Sequence, residues 1–118
     1  MREIRKLWPL FPPECATVWQ PRADVYRTRD GWLLKFDLAG VKPEDVSVSV
    51  RGRTVRIAGC RRDSIVEEGS SHYSMEISYN RFERAIEMPC SLENASVTLE
   101  ARDGILLVRM VTEGKQNG

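Results

Sequence analysis

Apolar residues alternate with polar ones along most of this chain, and short turn-forming clusters interrupt the alternation at close intervals. Val46, Val48 and Val50 alternate with serine, and Val55 and Ile57 alternate with arginine. Successive side chains of a β-strand point to opposite faces, so a strand with this pattern buries one face and exposes the other. Many short strands of this kind, separated by frequent turns, predict an all-β sandwich.

The alternation places strands at 23–28, 32–38, 46–50, 54–60, 73–79, 82–88, 96–102 and 105–111. Asp30-Gly31 and Asp103-Gly104 have the composition of tight hairpin turns, which need residues that tolerate positive φ. Residues 61–72 are polar and form the longest predicted loop, and residues 91–94 are predicted to form a single helical turn.

Residues 1–21 differ from the rest because four prolines lie between Pro9 and Pro21. Proline lacks an amide donor and restricts the residue before it, which disfavours regular structure. We interpret 1–21 as an N-terminal arm, 22–111 as one domain and 112–118 as a short tail. The arm is too apolar for a merely solvated segment, so we expect it to make contacts through Leu7, Trp8, Leu10 and Phe11.

Charge and cysteine content limit which partners and which cellular compartment we expect for this protein. Lysine and arginine total 18 against 17 acidic residues, which leaves no net field to attract nucleic acid. The sequence has no apolar run of the roughly 20 residues that a membrane span needs, and the N-terminal residues do not resemble a signal peptide. Cys15, Cys60 and Cys90 have no metal-ligand spacing and are interpreted as free thiols in a reducing cytoplasm.

No residue pattern indicates catalysis or a cofactor. His72 is the sole histidine and lies in the predicted long loop, so a Ser-His-Asp arrangement would have to be built around it. Phosphate-binding glycine motifs are absent from the sequence. The acidic pairs Glu44-Asp45 and Glu67-Glu68 lie in a predicted turn and the predicted long loop, and we interpret them as solvated charge. We expect neither enzyme activity nor a cofactor or metal.

Four stretches carry a family resemblance, and they occur in the family's order along the chain. They are Trp19–Tyr26, Leu38–Val46, Ser78–Arg84 and the closing stretch Leu99–Leu106. Together they resemble the α-crystallin domain of the small heat shock proteins (Hsp20 family), in its bacterial form, over residues 20–111. Three features depart from the family pattern. Asn80 replaces a glycine, Leu99 replaces the alanine of the closing A-x-x-x-n-G-x-L signature, and residues 112–118 contain no I-x-I anchor.

The resemblance implies an immunoglobulin-like β-sandwich with an apolar groove between the valine strand and the penultimate strand. The groove residues would be Val46, Val48, Val50, Val97 and Leu99. In the family that groove receives the tail anchor, and here the arm triplet Trp8-Pro9-Leu10 is a candidate to replace it. The resemblance also implies a strand-swapped homodimer, or a larger oligomer, with Tyr73, Met75, Ile77, Phe82 and Arg84 at the dimer interface.

The function implied by the resemblance is that of an ATP-independent holdase in the stress response, a chaperone that binds partly unfolded proteins in the cytoplasm and prevents their aggregation. A protein-interaction module remains as the alternative. It would be a p23-like co-chaperone, or an adaptor subunit that co-assembles with another small heat shock protein.

Overall fold

The computed structural model describes residues 18–112. Eight β-strands form this part of the chain, together with a 3-10 helix at Pro43–Asp45. The strands are β1 (Val18–Trp19), β2 (Ala23–Arg27), β3 (Gly31–Asp37), β4 (Val46–Arg51), β5 (Thr54–Cys60), β6 (Arg81–Glu87), β7 (Ser96–Arg102) and β8 (Ile105–Val111). Pro43 begins the 3-10 helix, where its missing amide hydrogen costs nothing.

The strands form two four-stranded sheets, one in the order β1-β6-β5-β4 and the other in the order β2-β3-β8-β7. Each neighbouring pair is antiparallel except β1 and β6, which run parallel. The two sheets pack face to face as an immunoglobulin-like β-sandwich, as the sequence predicts. β4 and β7 are edge strands of different sheets, and residues of both strands line clefts between the sheets.

The core lies between the sheets and is built from the inward members of the alternating strands. On β5, Val55 and Ile57 are buried whereas Arg56 between them is exposed. Leu34, Phe36, Phe82, Val108 and Met110 complete the centre, each with no exposed surface. Burying one such side chain stabilises the fold by about 1.5–3 kcal/mol, which makes the alternation the main determinant of the strand faces.

The two predicted hairpin turns differ in their geometry. Asp103 and Gly104 both have positive φ, 52° and 81°, as expected for the tight turn between β7 and β8. Gly31 has no positive φ and is instead the first residue of β3. A Cβ there would lie 1.9 Å from the carbonyl oxygen of Met110, so close approach of β8, and not turn conformation, requires glycine.

Two local predictions do not match the structure. Residues 61–80 contain no strand. Tyr73–Tyr79 alternates as a strand would, but none of the strands in residues 18–112 pairs with it. Residues 91–94 form turns and no helix. Four residues cannot offset the cost of helix nucleation without tertiary contacts.

The cysteines are not all free thiols, contrary to the sequence interpretation. Cys60 ends β5, is buried and is disulfide-bonded. Cys90 is free and half-buried, and Cys15 lies outside the described residues. Disulfide formation depends on spatial proximity, which widely spaced cysteines in a sequence do not reveal.

Candidate functional site

The groove is walled by the apolar sides of β4 and β7. Val46, Val48 and Val50 pair with Gly59, Ile57 and Val55 of β5. Paired residues of neighbouring strands point to the same face of a sheet. Because Val55 and Ile57 are core residues, the three valines point inward.

The opposite wall follows the same rule. Val97, Leu99 and Ala101 on β7 pair with Met110, Val108 and Leu106, which are buried on β8. The three β7 residues therefore point toward the space between the sheets, but β7 is an edge strand and covers them incompletely. Leu99 keeps 50% of its surface exposed, a large fraction for an inward-facing leucine.

Open clefts lie at both ends of the groove. The first, of about 140 Å³, contains Val46 and Ala101 and is closed by the turns before β4 and after β7. The second, of about 410 Å³, contains Val50 and Val97 and is floored by Leu92 and Ala95. Val48 lies between Val46 and Val50 on β4, and Leu99 lies between Val97 and Ala101 on β7. These two residues are therefore at the middle positions of the two strands.

Of the five groove residues predicted from the sequence, the structure places Val46, Val50 and Val97 on the linings of these clefts, and it places Val48 and Leu99 at the intermediate positions of β4 and β7. It adds Ala101, Leu92 and Ala95, which the sequence analysis did not single out. Ala101 continues the alternation of Val97 and Leu99, so the period of two could have identified it. Leu92 and Ala95 lie in the turn before β7, where no periodicity marks them.

The chain enters the sandwich through β1, which lies within the predicted arm. Trp19 packs on Phe82 with ring centroids 5.5 Å apart, and its indole Nε1 donates a hydrogen bond to the Asn80 carbonyl oxygen at 3.2 Å. Phe82 was predicted at the dimer interface, but it has no exposed surface and lies in the core of its own chain. The predicted arm contacts Leu7, Trp8, Leu10 and Phe11 lie outside the described residues.

Arg61 fastens the base of the long segment 61–80. Its guanidinium lies 4.4 Å from the centre of the Trp19 ring. Nε donates a hydrogen bond to the Ser78 carbonyl oxygen at 2.9 Å, and a terminal nitrogen donates to the Ala39 carbonyl oxygen at 3.1 Å. One side chain therefore holds both ends of the segment and the turn before β4, whereas the middle of the segment is exposed.

The other predicted interface residues lie on exposed surfaces. Tyr73, Met75 and Ile77 project from the long segment with at least half of their surface exposed. Arg84 on β6 donates a hydrogen bond to the Pro21 carbonyl oxygen at 2.8 Å, and is half-buried. Within this chain its partner is therefore a backbone carbonyl.

His72 is exposed, and no group of three or more histidine, cysteine, aspartate or glutamate side chains among residues 18–112 is arranged to hold a metal ion. Within the same residues no helix is long and apolar enough to cross a membrane.

Comparison with known proteins identifies the domain. Residues 24–117 match the Hsp20/alpha crystallin family. Spore protein SP21 of Stigmatella aurantiaca is 29% identical over 90 residues, which cover 76% of this chain and 53% of that protein. The 17.6 kDa class I heat shock protein of Helianthus annuus is 30% identical over 104 residues, covering 87% of this chain and 68% of that protein.

Solved structures agree with the sequence match. The hspA protein of Xanthomonas axonopodis superposes with a TM-score of 0.65 at 26% identity, covering 80% of this chain and 94% of that chain. HSP18.5 of E. histolytica superposes with a TM-score of 0.66 at 24% identity, covering 80% and 88%. The chain spans about half the length of several curated relatives, 53% of the Stigmatella protein and 56% of small heat shock protein C2 of Rickettsia felis. On the family match and the shared sandwich, the chain belongs to the Hsp20/alpha crystallin family, which consists of small heat shock proteins and not of enzymes.

Proposed function

We propose that this protein is an ATP-independent holdase, which binds exposed apolar segments of partly unfolded proteins and keeps them from aggregating. The observation that supports the proposal is the groove between β4 and β7, where Leu99 is half exposed and Val46, Val50 and Val97 line open clefts. Large exposed apolar surfaces on a folded domain usually mark interaction sites. The cytoplasmic location remains a prediction from the sequence.

The groove suits extended, apolar client segments. Valines of β4 and β7 line the two clefts, together with Arg51 and Glu93 in the larger one. Both strands are sheet edges among residues 18–112, and an extended segment can add to such an edge. Burying one aliphatic side chain contributes about 1.5–3 kcal/mol, so two such contacts give weak, reversible binding once the cost of ordering the segment is included. Weak binding with little sequence preference is what a holdase needs.

We also propose that two copies exchange their long segments. Tyr73, Met75 and Ile77 have the alternation of a strand and are exposed, and no strand in the part of the chain that the structure describes pairs with them. β2 is an edge strand with Val25 and Tyr26 about half exposed. Pairing of one copy's segment with the other copy's β2 would bury both surfaces, and a reciprocal exchange closes after two subunits.

Arg84 is the residue through which we expect the exchanged segment to be fastened. Its hydrogen bond to the Pro21 carbonyl uses one of several guanidinium donors. The remaining donors are available to a carboxylate of the partner, with Glu67 and Glu68 on the long segment as the candidates. An arginine can bind a carboxylate through two parallel hydrogen bonds.

A second candidate function is a dedicated interaction module. The two clefts have different sizes and defined linings, which would suit one particular segment of a folded partner or of a companion small heat shock protein. Such a module would bind one partner tightly and would not suppress the aggregation of unrelated proteins.

Light scattering from a heat-labile client, warmed without ATP, tests the proposal. We expect the intact chain to suppress scattering, and Leu99→Asp to weaken suppression at least threefold because it places a charge in the groove. Thr98→Asp is the matched control, since Thr98 is exposed on the opposite face of β7. A further variant lacking residues 1–17 tests the arm and leaves Trp19 in place on Phe82.

The outcomes separate the two functions. Suppression by the intact chain and by Thr98→Asp, with loss in Leu99→Asp, supports a holdase that uses the groove. No suppression at several-fold excess of the intact chain would overturn the holdase proposal in favour of the interaction module. An equal loss of aggregation suppression in Leu99→Asp and Thr98→Asp would mean that a charge on either face of β7 impairs suppression. That result would contradict client binding in the groove.

A further inference from the structure

Another cleft, of about 440 Å³, lies at the end of the sandwich where the chain turns from β2 into β3. Three parts of the chain line it: the turn between β2 and β3, the connection between β6 and β7, and the residue after β8. The lining includes Arg27, Arg29, Trp32, Pro89, Cys90 and Ser91. This cleft shares no lining residue with the two clefts of the groove, so it is a separate candidate site.

Backbone hydrogen bonds fix both walls of this cleft. In the turn between β2 and β3, the Thr28 amide donates to the Gly31 carbonyl oxygen at 2.9 Å, and the Thr112 amide donates to the same turn at 2.8 Å. The opposite wall lies between Met88 and Leu92, which are buried and whose amides donate to carbonyl oxygens of the turn between β4 and β5. The cleft is therefore preformed, as small-molecule sites usually are.

The rim of the cleft carries two guanidinium groups. Arg27 and Arg29 both line it, and neither forms an ion pair with a carboxylate of residues 18–112. The acidic residues nearest to the lining in sequence are Asp30, Glu87 and Glu93, and none of these three lines the cleft. The cleft therefore presents positive charge to an entering ligand, which favours an anion.

Arg27 is held in position by the aromatic ring beside it. Arg27 and Trp32 are direct cross-strand partners on β2 and β3, and the guanidinium carbon lies 5.1 Å from the centre of the Trp32 ring. This cation–π contact occupies the flat face of the guanidinium and leaves the N–H groups at its edge for a ligand. An arginine can donate two parallel hydrogen bonds from this edge to one oxyanion.

Hydroxyl groups add further donors to the two arginines. Thr28, Ser91 and Thr112 line the cleft. The Ser91 hydroxyl oxygen accepts a hydrogen bond from the Glu93 amide at 3.3 Å, so the hydroxyl hydrogen remains to be donated to another acceptor. Two guanidinium groups and three hydroxyls supply more donors than the two oxygens of a carboxylate require. This donor set suits the three terminal oxygens of a phosphate monoester.

The volume of the cleft exceeds that of a bare phosphate. One water molecule occupies about 30 Å³ in the liquid, so about 440 Å³ leaves room for a further group beside the anion. The volume also lies within the range of about 300–1,000 Å³ that is usual for small-molecule sites. The half-buried Trp32 and the Pro89 ring supply apolar surface in the lining, against which a flat apolar group can pack.

We propose that this cleft binds a small phosphate monoester that carries a flat apolar group, such as an aryl phosphate. The phosphate lies between Arg27 and Arg29, with Ser91 as an additional donor, and the apolar group packs on Trp32 and Pro89. The proposal does not rest on the holdase function, because it uses no residue of the groove.

Isothermal titration calorimetry of the full chain with phenyl phosphate tests the proposal. We expect one molecule to bind per chain, at least tenfold more tightly than inorganic phosphate or benzyl alcohol, since each of these matches only one half of the site. Arg27→Gln and Arg29→Gln should each weaken binding at least fivefold. Arg109→Gln is the matched control and should bind within twofold of the unchanged chain, because Arg109 is exposed on β8 and does not line the cleft.

Three results of the titration would contradict the proposal. No binding at millimolar phenyl phosphate would overturn the site. Equal losses in Arg27→Gln and Arg109→Gln would overturn it as well, because binding would then depend on overall charge and not on the cleft. Inorganic phosphate that binds as tightly as phenyl phosphate would refute the assignment of an apolar group to the ligand.

Alkylation of Cys90 gives an independent measure of where the ligand binds. Cys90 is a free, half-buried thiol in the lining of the cleft. We expect saturating phenyl phosphate to slow its alkylation by iodoacetamide at least threefold, as mass spectrometry of the peptide with Cys90 would show. The same concentration should have a smaller effect in Arg27→Gln. An unchanged alkylation rate with phenyl phosphate bound would place the ligand elsewhere and overturn the assignment.

Discussion

We expect replacement of Gly59 by alanine to destabilise the fold, because the added Cβ would clash with Asp45, next to the start of β4, and with Phe82. Gly59 is buried and pairs with Val46 on one side and Phe82 on the other. A Cβ at this position would lie 2.1 Å from the Asp45 carbonyl oxygen and 2.6 Å from the Cζ atom of Phe82. Ordinary contacts lie near 3.5 Å, so relief of both contacts requires the start of β4 to move by about 1.4 Å and the Phe82 ring by about 0.9 Å.

Overpacking of this kind costs about 1–3 kcal/mol of unfolding free energy. For a domain of roughly 100 residues, 1 kcal/mol corresponds to a fall in Tm of about 4–8 °C, so we expect a fall of about 5–20 °C. Because Asp45 immediately precedes Val46, the displacement also alters the smaller cleft of the groove. Loss of stability and altered binding at the Val46 end should therefore occur together.

Denaturant unfolding of the full chain, followed by tryptophan fluorescence at fixed protein concentration, measures the effect. Gly52→Ala is the comparison variant, because Gly52 has a positive φ of 61° but a Cβ at this position would meet no other atom within 4 Å. It should cost about 1 kcal/mol through backbone strain alone. A Gly59→Ala variant within 0.5 kcal/mol of the unchanged chain, or less destabilised than Gly52→Ala, would refute the steric argument.

Three further changes probe the supports of the site. Arg61→Ala removes the stacking on Trp19 and two hydrogen bonds to backbone carbonyls, so protease cleavage within residues 61–80 should become several-fold faster, as gel analysis would show; an unchanged rate would contradict the fastening role. Phe82→Ala should destabilise the fold by about 3–5 kcal/mol, measured by denaturant unfolding, whereas a change below 1 kcal/mol would mean that Phe82 is not a core residue. Arg84→Ala should shift the chain toward smaller species in sedimentation at micromolar concentration, and an unaltered distribution would remove Arg84 from the proposed dimer.

Three strands were predictable in their bounds. β5, β7 and β8 begin and end where the sequence predicts, with Gly52 before β5 and Asp103-Gly104 between β7 and β8. The turn at Asp103-Gly104 was predictable for a similar reason, since its positive φ values are a local property of the backbone. The turn conformation is specified locally, whereas each strand also requires a paired neighbour, as the unpaired residues 73–79 show.

The groove was predictable in its members but not in its shape. The alternation and the family resemblance are both properties of the sequence. Together they identify the three valines of β4 and the two β7 residues, Val97 and Leu99. The location of Leu99 between two clefts depends on how two edge strands of different sheets face each other. No local pattern specifies that arrangement.

The sequence by itself determined the class of fold, the strand faces and the family, because the period of two, turn residues and ordered motifs are properties of the chain. Tertiary structure decided three things that involve residues far apart in sequence. Gly31 is required because β8 passes close to it. Phe82 is fully buried in the core, and Cys60 is disulfide-bonded. Each depends on residues that are distant in sequence and close in space, and such proximity exists only after the chain has folded.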